Sequence, residues 1–195
     1  MTGFGWSGVL LLPCLALGCS GTPKASNEPG PSVVRLDVPP GIVARRACVP
    51  TAAERCFDAR DDNCNGIIDE GCGVNTGLVQ FAIAWDEANA DVDLDVTDPD
   101  GELVEVGRVT RNGLTKERDC PGRHAECRGQ NLENVFLEEG DATRGEYRVR
   151  IRLEKLGGEE PPVRVTLGAR VGPKTYAFEL DLHKPEEEKE IVFRL

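Results

Sequence analysis

Serine is almost missing from this chain of 195 residues: Ser7, Ser20, Ser26 and Ser32 are all it has, and each lies before residue 33. Serine-hydrolase chemistry needs a serine held against a base, so it is excluded from the body of the chain. Histidine is nearly as scarce. His124 and His183 are the two present, and neither sits in a nucleophile or metal-ligand pattern. Aromatic residues make up 5%, and Trp85 is the one tryptophan beyond Trp6, so a sugar platform of exposed rings has little to be built from. Basic residues are outnumbered, 23 Lys and Arg against 34 Asp and Glu, for a net charge of −11. Phosphate backbones are bound by basic stripes, so nucleic acid is excluded as a partner. No long stretch has helical periodicity. No apolar run is long enough to span a bilayer as a mature helix, which takes about 20 residues. These absences point away from an enzyme.

What is there begins with a short apolar run over residues 9–17, ending at Gly18-Cys19 and followed by polar, Pro-rich sequence. A short apolar stretch closed by a small residue has the form of a cleaved secretory signal. The cysteine after that small residue resembles the lipobox of bacterial lipoproteins. The resemblance implies that residues 1–18 are removed, that the Cys19 sulfur takes a diacylglycerol, and that the chain is held at the membrane by this anchor. Ser20, where inner-membrane retention uses Asp, implies the outer membrane and exposure to the periplasm or cell surface. The cysteine count fits an exported chain. Of 8 cysteines, Cys14 goes with the signal and Cys19 with the lipid. Cys48, Cys56, Cys64, Cys72, Cys120 and Cys127 remain, an even set expected to form disulfides in an oxidising compartment. Cys120 and Cys127 form a local pair; the connectivity within 48–72 stays open.

Four segments follow. Residues 1–18 are the signal and 19–47 a flexible tether rich in Pro, Gly and Ser. Residues 48–75 are a cysteine-rich module, too short to own a core and so dependent on staples or a metal. Residues 76–195 form one β-domain. Val92, Leu94 and Val96 alternate with Asp91, Asp93 and Asp95; Tyr147, Val149, Ile151 and Leu153 alternate with Arg148, Arg150 and Arg152. Such period-two patterns put one face in a core and the other in water. Strands are expected near 78–86, 91–97, 102–109, 132–137, 146–153, 162–171, 174–182 and 188–195, divided by turn signals such as Asp98-Pro99-Asp100-Gly101. The fold class is mainly β, an antiparallel β-sandwich.

Two constellations carry chemistry. In the first, Asp61, Asn63 and Asn65 are spaced by two and followed by Gly66. Alternate oxygen side chains wrap a hard cation, glycine allows the sharp bend, the Ile67 carbonyl adds a ligand, and Asp69 adds another directly or through water. This is the first nine residues of an EF-hand-like calcium loop. The bidentate Glu of the twelfth position is replaced by Cys72, with Glu70 as the nearest substitute, so weak affinity is expected, on the order of 10⁻⁴–10⁻³ M. Glu54, Cys56, Asp61, Cys64, Gly66, Asp69 and Glu70 also resemble the MopE-type metal-binding motif of bacterial secreted proteins, with Phe57-Asp58 where that motif has Asp-Gly. The family name hints at copper, but the donors are hard oxygens without His or Met, which suits calcium. The cysteine spacing does not suit zinc. The competing reading is a disulfide-stapled turn with solvated acidic groups.

In the second, Asp91, Asp93 and Asp95 project from one strand face, where adjacent like charges repel. Either a second cation, completed by Asn131, Glu133 and Asn134, or a ladder to Arg148, Arg150 and Arg152 compensates them. Trp85-Asp86, the run Asp91 to Gly101, Glu133-Asn134-Val135-Phe136 and Gly145-Glu146-Tyr147-Arg148-Val149 resemble signature segments of YfaP-like secreted β-sandwich domains, with Asp95 where that family has His. That resemblance supports the fold. The functional expectation is a non-enzymatic, lipid-anchored envelope protein with a calcium-stabilised module, its protein or glycan partner unknown. The alternative is a hydrolase or accessory subunit acting on envelope polysaccharide through paired carboxylates.

Overall fold

The computed structural model describes residues 34–50, 52–120, 127 and 130–195, which belong to one compact unit. The expected signal, Cys19 and His124 lie outside the described residues. Among the described residues, ten strands make two antiparallel sheets: β1 (Arg35–Asp37), β2 (Ile42–Arg45), β3 (Val79–Trp85), β4 (Asp91–Thr97), β5 (Leu114–Arg118), β6 (Leu132–Leu137), β7 (Glu146–Lys155), β8 (Val163–Val171), β9 (Lys174–Leu182) and β10 (Glu188–Arg194). One sheet has the order β1-β10-β7-β4 and the other β2-β9-β8-β3-β6-β5. Among the described residues, none forms an α-helix, and no helix is long and apolar enough to cross a membrane.

The period-two pattern explains the layering. Val92, Leu94 and Val96 of β4 and Tyr147, Val149, Ile151 and Leu153 of β7 are fully buried, facing Val79, Phe81 and Ile83 of β3 and Val165, Leu167 and Ala169 of β8. Phe81 links the sheets, its ring centroid 5.2 Å from Phe193 of β10 and 6.0 Å from Tyr147. Each such aromatic pair adds ~0.5–1.5 kcal/mol beyond its area burial. Strand β3 is buried on both faces. Its outer residues include Ala82 and Ala84, small enough to admit a second layer.

Two expectations change. From residue 34 onward the segment expected as a tether over 19–47 is built into the sandwich: β1 pairs with β10 and β2 with β9. Val34, Leu36 and Val38 pack against the core, and Ile42 enters it. Pro39-Pro40 and Gly41, at φ +85°, turn the chain from one sheet to the other. The second change is at 102–109, which makes isolated bridges through Leu103, Val106 and Val109 instead of a strand. Those three side chains are exposed and Gly107 sits at φ +75°, while Val104 alone of the segment's apolar residues enters the core. The strand forms instead at β5, whose Leu114 and Lys116 are buried.

Strand β4 is a sheet edge, and edges expose unpaired backbone groups. Here the other sheet seals it with side chains. Glu133 of β6 accepts the Leu94 N–H at 2.6 Å, and Lys116 of β5 donates to the Leu94 carbonyl at 3.1 Å. The two side chains are themselves 2.7 Å apart.

Candidate metal centre

The cysteine module lies on the outer face of the six-stranded sheet. Disulfides join Cys48 to Cys64 and Cys56 to Cys72, two overlapping closures of separation 16, while Cys120 bonds Cys127. Closing a loop of that length removes ~3 kcal/mol of chain entropy from the unfolded state in the entropic account. A small apolar cluster seats the module: Ala59, Ile68 and Val74 against Ala82, Ala84 and Leu132. Backbone approach is close. A Cβ on Gly168 of β8 would lie 2.1 Å from the Ala59 carbonyl oxygen. Arg60 pairs with Glu179 of β9 at 2.7 Å.

Asp61 opens the loop and is 2% exposed. Its Oδ2 accepts the Gly66 N–H at 3.0 Å and the Thr175 hydroxyl of β9 at 3.1 Å. Its Oδ1 is buried without a hydrogen-bond partner. Asn63 accepts the Asn65 N–H and Asn65 accepts the Ile67 N–H, each at 2.9 Å, so the loop's own side chains wind it. Gly66 bends it at φ +88°. The Asn63 and Asn65 amides both donate to Glu70 Oε1, and Glu70 Oε2 is buried without a partner. Asp61, Asn63, Asn65, Gly66, Ile67 and Glu70 are thus linked by hydrogen bonds within one loop.

Asp69 does not join them. It is fully buried, and its carboxylate accepts the N–H groups of Phe57 at 2.6 Å, Asp58 at 3.3 Å and Ala59 at 3.1 Å. Phe57 and Ala59 stand at φ +67° and +58°, and this turn faces successive amides toward the carboxylate. Both Asp69 oxygens are committed to backbone, so the ligand role expected of Asp69 is corrected to that of a clamp. Burial pushes its carboxyl up to about 6, against the pull of those N–H groups.

Glu54 is a residue the loop template did not include. Its Oε2 accepts the Asp62 N–H at 3.1 Å, and its Oε1 is buried without a partner. Burial, then the neighbouring Glu70 charge, push its carboxyl up to about 7. Asp58 is also raised, by burial and then by Asp62, and its Oδ1 has no partner. Buried carboxylate oxygens without donors are costly unless something compensates them. Four such oxygens lie in one small module, all of the hard type that calcium prefers and none soft, but no three of their carboxylates bring oxygens within 4.8 Å of one another. Thr175, which orients Asp61 from another strand, had no local signal in the sequence. Glu54 had one, its place at the head of the motif.

The aspartate strand is arranged differently. Asp91 pairs with Lys155 at 2.9 Å, Asp93 with Arg152 at 2.8 Å and Asp95 with Arg150 at 2.7 Å. The antiparallel register of β4 on β7 sets these partners. The three carboxylates thus have their countercharges on β7 and do not form the second cation site considered for them. Asn131 donates to the Glu87 carbonyl and Asn134 to the Asn75 carbonyl, both away from the ladder. Among the described residues, the carboxylates that do converge are Asp93, Asp119 and Glu133, with one oxygen of each within 4.8 Å of the others. Lys116 lies among them, 2.7 Å from Glu133 and 4.0 Å from Asp119. Burial holds the Glu133 carboxyl well above the usual range, against the pull of the Lys116 ammonium. Trp85 is 6% exposed, with its indole N–H on the Ala90 carbonyl at 3.0 Å, so it offers no stacking surface.

Residues 44–70 match the family Cu-binding_MopE, described as "Putative metal-binding motif". The match spans the two closures of the module up to Glu70 and none of the sandwich strands β3 to β10. No solved structure matches the chain.

Proposed function

We propose that this chain is a non-enzymatic protein of the bacterial cell envelope, anchored by lipid at Cys19, whose cysteine module takes calcium and so stiffens one face of a β-sandwich that meets a protein or glycan partner. Metal binding by the module agrees with the family match over 44–70; calcium, the anchor and the envelope location are the reading built on it. One observation carries the calcium part. Asp61, almost wholly buried, has one oxygen fixed by Gly66 and Thr175 and the other unpartnered. A preformed hard-oxygen position of this kind is what calcium selects over softer metals.

The cleft beside the module adds no support for a hydrolase. It holds about 370 Å³ and is lined by Arg55, Arg60, Arg164, Asp58 and Glu179 among others. Two of its arginines are paired with two of its acids, Arg60 with Glu179 and Arg55 with Asp58, and Asp62 and Asp86 also line it. The test has two arms. Equilibrium dialysis of the oxidised chain against calcium, magnesium and copper should show calcium retained in preference to both others, and retention lost in Asp61→Ala. Labelling with a fatty-acid precursor in a bacterial host should mark the wild type and not Cys19→Ala. Copper retained in place of calcium would overturn the metal assignment, and an unlabelled wild type would overturn the anchor.

A further inference from the structure

The cleft of about 370 Å³ lies between the module and the outer face of the six-stranded sheet. Its floor is a row of residues paired across three strands: Ala84 of β3, Thr166 of β8 and Glu179 of β9. Two of these side chains are small, which keeps the floor low and leaves a gap under the module. Phe57 and Asp58 of the module form the facing wall. Phe57 stands at φ +67°, where a bulky side chain is strained. The Asp69 clamp uses only the backbone at this position, and glycine would meet it without strain. A ring held against its backbone preference points to a use for the ring. With the Trp85 indole N–H spent on Ala90, Phe57 is the ring that this cleft offers. Asp58 gives an independent mark. Its Oδ1 is buried without a hydrogen-bond partner, while its Oδ2 faces Arg55 at 3.6 Å.

The charges of the lining decide what can enter. Three arginines and four acids line the cleft, and neither sign dominates. A phosphate-like anion would meet four carboxylates, and an ammonium or guanidinium would meet three arginines. Hydroxyl groups both donate and accept, so a neutral ligand rich in them satisfies both kinds of lining group at once. The volume is at the lower end of small-ligand pockets, which limits the ligand to a few rings. We propose that this cleft binds a neutral saccharide, with Asp58 Oδ1 accepting from a hydroxyl and the Phe57 ring packing against a sugar face above Thr166. The proposal rests on the partner part of the function read above and deepens it, choosing glycan over protein.

The probes are neutral oligosaccharides of glucose, of mannose and of N-acetylglucosamine, with an oligolysine peptide and inorganic phosphate as charged comparators. Binding to the oxidised full chain is read by saturation-transfer NMR and calorimetry. At least one saccharide should bind saturably, and both charged probes more weakly than it. Thr166→Tyr fills the cleft from the outer face of β8 and should abolish binding. Asp58→Asn keeps the shape but removes the charge that strengthens the hydrogen bond, so it should weaken binding about tenfold; being isosteric, it keeps the test decisive if the larger variant disturbs the sheet. A wild type that binds none of the saccharides, or binding unchanged in Asp58→Asn, would overturn the proposal. Oligolysine bound ahead of every saccharide would overturn it in favour of a basic peptide. Saccharide bound equally in calcium and in chelator would support the cleft while contradicting the stiffening role given to calcium. Calcium retained with no saccharide bound would overturn the cleft alone.

Discussion

Asp69 shows how one side chain sets a local structure. A carboxylate with two oxygens serves three N–H groups; an asparagine in its place has one accepting oxygen and leaves buried donors unsatisfied. Asp69→Asn is expected to cost ~2–3 kcal/mol, read as a fall in the urea midpoint without a change in slope. The raised carboxyls make a second prediction. Asp69 stands at about 6 and Glu54 at about 7 in the folded chain, against ordinary values of 3.8 and 4.5. Between the ordinary and raised values the folded state holds more protons than the unfolded one, so stability falls as pH rises. In chelator, the melting temperature should therefore rise as pH is lowered from about 7.5 toward 5. Calcium should oppose this dependence, because the carboxylates of the loop bind it in their charged forms. A chelated protein that is more stable at pH 7.5 than at 5.5 would contradict the assignment. The expectation that Asp69 ligates a metal failed because spacing alone does not say which way a side chain turns; the positive φ values at Phe57 and Ala59 decide it.

At the scale of elements, two contacts between layers make testable claims. Glu133 and Lys116 seal the edge of β4. Removing one partner strands a buried charge, so Lys116→Met or Glu133→Gln should each cost ~3–5 kcal/mol, and the double replacement by apolar residues less than the sum. Chemical denaturation of the three variants checks this. The ladder of Asp91, Asp93 and Asp95 is half-exposed on its basic side, and Asp95→Asn should move stability by less than about 1 kcal/mol. Gly168 admits the module: Gly168→Ala places a Cβ against the Ala59 carbonyl and should cost ~1–3 kcal/mol, with faster hydrogen exchange at Asp69 and Ala59. The core strands could be read because alternation with one buried face is a strong local signal, as in Tyr147 to Leu153. β2 and β5 could not, and β1 showed only as the short apolar run at Val34 to Leu36. β1 and β2 are short edge strands around Pro39-Pro40, and β5 is rich in charge because Lys116 answers to Glu133, a partner that lies beyond it in sequence.

At the largest scale, the described residues form a β-sandwich that carries a stapled loop on one outer face. Its division into tether, module and domain followed composition, yet the described residues form one compact unit. The loop is tied to the sandwich through Asp61 and Thr175, Arg60 and Glu179, and Ile68 on Ala82 and Ala84. A cation bound only in the folded state stabilises the whole by mass action, so its effect should appear in global unfolding. The measurement that tests this most directly is thermal unfolding of the oxidised protein in millimolar calcium and in excess chelator, beside Asp61→Ala. The account predicts one transition for module and sandwich together, raised by calcium in the wild type and unmoved by calcium in Asp61→Ala. A wild-type transition that does not shift at millimolar calcium would contradict it and leave a disulfide-stapled module whose acidic groups are only its surface.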